Sequence, residues 1–147
     1  MTLTQPQLEA WGERVGATLE PPVFFALRGE LGAGKSVLAR SIARGAGVAD
    51  LMPSPTFNLV FRYAGRDGIE VVHMDLYRLE RAGEVWELGW RELGGDREIA
   101  LVEWPERAEP LLPPDRWEIL LEEAGPDLRT VTAHAIGTVP PLPGTAA

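Results

Sequence analysis

The sequence predicts an α/β fold of three layers around a mixed parallel and antiparallel sheet. A short apolar run, Val23 to Leu27, leads straight into a glycine-rich loop and then a helical pattern; a doubly buried strand followed at once by a helix is the repeating unit of layered α/β domains. Two further strand-like segments, 69–75 and 98–104, each carry an acid at or next to their last residue. Turn residues between "FNLVFRY" and "IEVVHMD", and between "RWEILLEE" and "LRTVTAHA", are hairpin signals that add antiparallel pairing.

The elements follow in order. Thr4 and Gln7 form a capping box, and Leu8, Trp11, Val15 and Leu19 recur at helical spacing until Pro21 and Pro22 stop them. Val37, Leu38 and Ile42 continue a second helix from the glycine loop, closed near Gly45 and Gly47. "SPTF" at 54–57 is extended, because a residue before proline is pushed out of the α region. Residues 83–93 place Val85, Trp86, Trp90 and Leu93 on one helical face, with Gly89 as an interruption. Residues 1–136 read as a single domain, and the Pro/Gly-rich residues 137–147 as a flexible tail.

Composition excludes several kinds of function. The net charge of −8 over 147 residues argues against broad, sequence-independent binding of nucleic acid, which needs a dense basic face. Arg62, Arg66, Arg78 and Arg81 are the residues from which a local basic patch can form. Without cysteine there is no disulfide or thiolate chemistry, and with two histidines no His-rich metal site, so a metal would be a hard ion on oxygen ligands, Mg²⁺ above all. The apolar runs are too short to cross a bilayer, and "MTLTQPQLEAW" lacks the features of a secretory signal, so the cytoplasm is the expected location.

Gly29-x-x-x-x-Gly34-Lys35-Ser36 is the Walker A or P-loop pattern, set between strand and helix as that motif requires. Glycines let the backbone wrap an oxyanion closely, and the following helix N-terminus points its amides at it. Glu30, Leu31, Gly32, Ala33, Gly34, Lys35, Ser36 and Val37 are therefore the expected nucleotide-binding residues, with Ser36 as a Mg²⁺ ligand. Lys35 is the only lysine in the chain. An ammonium fits as a point charge where a guanidinium fork is too broad, and Lys35 is expected to be exposed to the phosphate site. The single asparagine, Asn58, cannot build the Asn-Lys-x-Asp guanine reader, which favours ATP over GTP.

Asp75 and Glu103 close strands, and the carboxyl ends of strands are where open α/β sheets bind ligands. Glu103 ends the apolar "ALVE" in the manner of a Walker B acid and leans towards Mg²⁺, leaving Asp75 for positioning the chemistry. His73 shares a strand face with Asp75, in either a structural or a catalytic role.

Taken together, "LRGELGAGKS", "SPTFNLVFRY", "HMDLYRL", "ELGWREL" and "VEWPER" over residues 27–107 resemble the TsaE (formerly YjeE) P-loop ATPases of tRNA threonylcarbamoyladenosine modification. The resemblance implies an ATPase that works with TsaD and TsaB, resets their complex by hydrolysis and meets tRNA only through it. It implies a switch-like role for Thr56 near the γ-phosphate, a metal and catalytic cluster of Asp75 and Glu103, and a place for Trp104 beside the nucleotide. Val37 stands where the family usually has a second threonine and offers no hydroxyl. Two other readings of the same loop are a nucleotide-dependent scaffold without catalysis and a small-molecule kinase; the latter has few residues left for an acceptor site.

Overall fold

The Thr4 hydroxyl accepts from the Gln7 amide at 3.3 Å while the Gln7 side chain accepts from the Thr4 amide at 2.9 Å, and this reciprocal cap starts helix α1, Gln5–Thr18. The computed structural model describes residues 1–49, 59–93 and 95–144. Its strands are β1 (Thr2–Thr4), β2 (Val23–Arg28), β3 (Val60–Ala64), β4 (Glu70–Asp75), β5 (Glu98–Glu103), β6 (Arg116–Glu123) and β7 (Leu128–Ile136), and helix α2 spans Lys35–Gly45. The described strands form one sheet in the order β1-β7-β6-β2-β5-β4-β3. The four inner strands β6, β2, β5 and β4 run parallel, while β7 on β6, β1 on β7 and β3 on β4 are antiparallel. Both hairpins and the mixed sheet are thus as expected.

Alternation along the strands sorts the core into two layers. Phe25, Leu27, Ile99 and Leu101 pack on α1 and α2. Phe24, Ala26, Val72, Met74, Ala100 and Val102 face the other way, under 3₁₀ segments at Ala82–Leu88, Trp90–Glu92 and Pro105–Leu111. Trp90 meets Phe24 edge to face at 5.8 Å.

The single helix expected over 83–93 is instead two 3₁₀ segments hinged at Gly89, whose φ of 84° leaves the helical region. Val85 and Trp90 are buried as predicted, but Trp86 is 48% exposed: at three residues per turn the 3₁₀ segment does not hold the adjacent Val85 and Trp86 on one face. Residues 137–144, expected as part of a mobile tail, lie against the domain. Trp11 Nε1 donates to the Pro143 carbonyl at 2.7 Å, Trp117 Nε1 donates to the Pro140 carbonyl at 2.8 Å, and Leu142 is 5% exposed. Composition pointed the other way because it cannot register two indoles, distant in sequence, that need acceptors.

α1 and α2 meet through glycines. A Cβ at Gly16 would stand 1.9 Å from the Ile42 carbonyl oxygen, and one at Gly45 would stand 2.0 Å from that of Glu13. Helix propensity alone favours alanine over glycine by about 0.5–1 kcal/mol, so a loss on substitution isolates the packing. Gly16→Ala is expected to destabilise the domain by about 3 kcal/mol, because the obstacle is backbone and the helices must separate. Gly83→Ala, where a Cβ meets nothing within 4 Å, is the control. Equal urea midpoints for the two variants would refute the close contact.

Candidate functional site

The loop between β2 and α2 starts at Gly29, where a Cβ would lie 2.5 Å from the Leu121 carbonyl oxygen, and ends at Gly34, with φ 106°. Gly34 is the N-cap of α2 and offers no side-chain cap. The first helical amides therefore keep their donors for a ligand, and the helix dipole adds positive potential there. Beside the loop lies a cleft of about 290 Å³, lined by Gln5, Leu8, Leu31, Gly32, Gly34, Lys35, Ser36, Val37, Asp75, Glu103, Trp104 and Arg129.

The register of the sheet brings the acids to this cleft. Asp75 of β4 pairs with Glu103 of β5 at their carboxyl ends, and β5 pairs in parallel with β2. Ser36 Oγ donates to the Glu103 carboxylate, 3.0 Å from each oxygen, across 67 residues of sequence. His73 Nε2 lies 2.6 Å from Glu103 Oε2. His73 is fully buried and holds Glu103 from behind. Its Nδ1 has no partner among the described residues.

Lys35 departs from expectation in being only 4% exposed. Its ammonium donates to the Gly29 carbonyl and sits 3.4 Å from the centre of the Trp104 ring. A desolvated cation takes carbonyl and π electrons as partners when they are within reach. Burial lowers its pKa below the usual lysine range, against the opposing charges of Glu103, Glu106, Asp75 and Glu30. Trp104, with φ 58°, also packs on Tyr77, the rings tilted by 51° with centroids 4.8 Å apart. Glu30 and Ala33 line a neighbouring groove together with Arg28 and Trp104 rather than the cleft itself. Thr56 and the rest of "SPTF" lie outside the described residues. Of the four arginines expected as a basic patch, Arg62 pairs with Glu70 and Glu98, and Arg66 donates to the Gly16, Gly45 and Leu19 carbonyls. Arg62 and Arg66 are thus engaged within the fold.

Asp75 has its pKa raised, first by burial and then by the charge of Glu103, against a hydrogen bond from the Tyr77 amide. A carboxyl that binds its proton more tightly when folded costs stability once ionised; the cost is complete above the folded pKa and vanishes below the unfolded one. Asp75→Asn, which keeps an acceptor for Tyr77, is expected to raise the urea midpoint at pH 8, with the gain shrinking as the pH falls through the acid range. A midpoint lowered at pH 8 would contradict this.

Ser36 Oγ and Glu103 are hard oxygen donors at the end of the loop, the ligand type Mg²⁺ takes. Among the described residues no three His, Asp or Glu side chains form a metal-binding group. An ion at Ser36 and Glu103 would complete its shell with phosphate and water, as Mg²⁺ does at nucleotide sites. Among the described residues, no helix is long and apolar enough to cross a membrane.

A strand, a glycine loop and a helix at the carboxyl edge of a mixed sheet, with an acid of the neighbouring strand against the first helical hydroxyl, define a P-loop α/β domain. The chain belongs to the TsaE family: the family profile described as "Threonylcarbamoyl adenosine biosynthesis protein TsaE" matches residues 2–131. It is similar to the tRNA threonylcarbamoyladenosine biosynthesis protein TsaE of Bacillus subtilis, 34% identical over 137 residues, 92% of this chain and 84% of that one. The protein of the same name from Treponema pallidum is 36% identical over 103 residues, 70% of this chain and 75% of that one. Among solved structures, Bacillus subtilis YdiB superposes with a TM-score of 0.72 at 28% identity, covering 93% of this chain and 86% of that one.

Arg129, which lines the cleft, was missed by sequence reasoning. The signal was there: an arginine two residues after the Gly125–Asp127 turn, where β6 ends beside β2 at the ligand-binding edge of the sheet.

Proposed function

We propose that this chain is the ATP-binding and hydrolysing component of tRNA threonylcarbamoyladenosine synthesis, which resets a complex of TsaD and TsaB in the cytoplasm and meets tRNA only through that complex. The family supports the pathway, and one observation supports the chemistry: Ser36 and Glu103 converge at the α2 N-terminus beside the only lysine of the chain. In this reading the amides of 32–36 and Lys35 hold the β- and γ-phosphates, and Ser36 and Glu103 hold Mg²⁺. Mg²⁺ bound with ATP supplies charge neutralisation between the terminal phosphates. Asp75 lines the same cleft, one strand further out, and orients the attacking water. Trp104 covers the phosphate end, and the Lys35 ammonium leaves the ring for phosphate.

The deciding measurement is phosphate release from ATP by this protein alone and with the TsaD–TsaB pair. Stimulated release is expected. Binding without release would make the chain a nucleotide-dependent scaffold, and phosphate transfer to a small acceptor would make it a kinase. Thr56→Ala is expected to leave ADP affinity intact and weaken ATP binding several-fold, since a switch residue acts only on the γ-phosphate. Equal losses for both nucleotides would give "SPTF" a structural part instead.

A further inference from the structure

We infer that Arg129 is a positioning residue for the phosphate loop, resting on the nucleotide reading above. Arg129 Nε donates to the Ala33 carbonyl at 2.9 Å, joining residues 96 apart in sequence. The Ala33 carbonyl and the Gly34 N–H belong to one trans peptide and point in opposite directions. Drawing the carbonyl towards Arg129 therefore turns the Gly34 amide to the other side of that peptide, and a nest of amides binds an anion only while its N–H groups converge. Gly34, with φ 106° and no Cβ, has nothing of its own to hold this orientation.

The tether is itself anchored. Arg129 shares a strand face with Val131, which is buried in the α1–α2 layer, and sits on β7 opposite Leu3 of β1 and Glu123 of β6. Its Nη1 donates to the Leu128 carbonyl at 3.2 Å. The sheet places β7 on one side of β2, and the acids of β4 and β5 on the other. The phosphate loop is thus held from both flanks: Glu103 fixes Ser36 at the helix start, and Arg129 fixes the peptide before it.

Hydrogen exchange across residues 29–37 of the ligand-free protein tests this independently of ATP. Arg129→Gln is expected to speed exchange in that segment about tenfold, the effect of losing one hydrogen bond from a charged donor. Arg129→Lys, which still offers a donor, is expected to recover most of the protection. Binding gives a second readout: Arg129→Gln is expected to weaken ATP, ADP and inorganic tripolyphosphate by a similar factor. Wild-type exchange in Arg129→Gln would overturn the inference, as would a loss for ATP but not for tripolyphosphate, which would make Arg129 a reader of the nucleoside. If the wild type binds no ATP at all, the functional reading falls, and the exchange experiment still decides the part played by Arg129.

Discussion

Lys35→Ala is expected to weaken ATP binding by about 10- to 100-fold, the range for losing a charged donor on phosphate, at roughly 1.5–3 kcal/mol. Fold stability should change little by comparison. In the ligand-free protein the ammonium is partnered by the Gly29 carbonyl and the Trp104 face, and among the described residues no carboxylate is hydrogen-bonded to it. Burial already depresses its pKa, so the charged form is held at a cost that truncation removes. Titration calorimetry with ATP, beside a thermal melt, separates the two effects. Lys35→Arg is expected to fail as well, since a planar guanidinium has no room between the loop carbonyl and the indole. Normal hydrolysis by Lys35→Arg would mean that the point-charge explanation of the lone lysine is wrong.

Glu103→Gln is expected to reduce partner-stimulated hydrolysis by about 100-fold, the scale of losing one preorganised electrostatic contact at a reacting centre. The amide keeps the size of the side chain and an acceptor for Ser36 Oγ, but removes the charge that faces Ser36 and His73. If Glu103 holds Mg²⁺, the variant loses ATP affinity in Mg²⁺ more than in EDTA. Asp75→Asn is expected to behave differently, keeping affinity while losing hydrolysis, because a group that orients water acts after binding. The contact between Glu103 and Ser36 favours this division, since Asp75 is engaged with the Tyr77 amide instead. The reverse pattern of losses would exchange the two parts. Full hydrolysis by both variants in the assembled complex would remove both acids from the catalytic assignment.

The parts of the molecule legible in sequence are those whose cause is local. The Thr4–Gln7 cap, the helical spacing of Leu8, Trp11 and Val15, the strand–loop–helix around Lys35 and the two hairpins each depend on residues a few positions apart, and all are present as read. Where a local pattern met a local exception, the reading failed: Gly89 breaks the segment 83–93 because its positive φ outweighs an apolar periodicity. The candidate site was legible only as a set of residue types. That Glu103 bonds Ser36, that His73 stands behind Glu103, and that Arg129 holds Ala33 are consequences of strand order and register, joining residues 67, 30 and 96 positions apart. The glycine seam between α1 and α2, and the indoles of Trp11 and Trp117 that hold residues 137–144, belong to the same class. Sequence by itself determined the loop, its lysine and the acids at the strand ends, because backbone conformation and side-chain chemistry are properties of short segments. Only the tertiary structure decided which acid meets the loop and what holds the loop in shape, because pairing between strands distant in sequence is settled by burying both faces of the sheet at once.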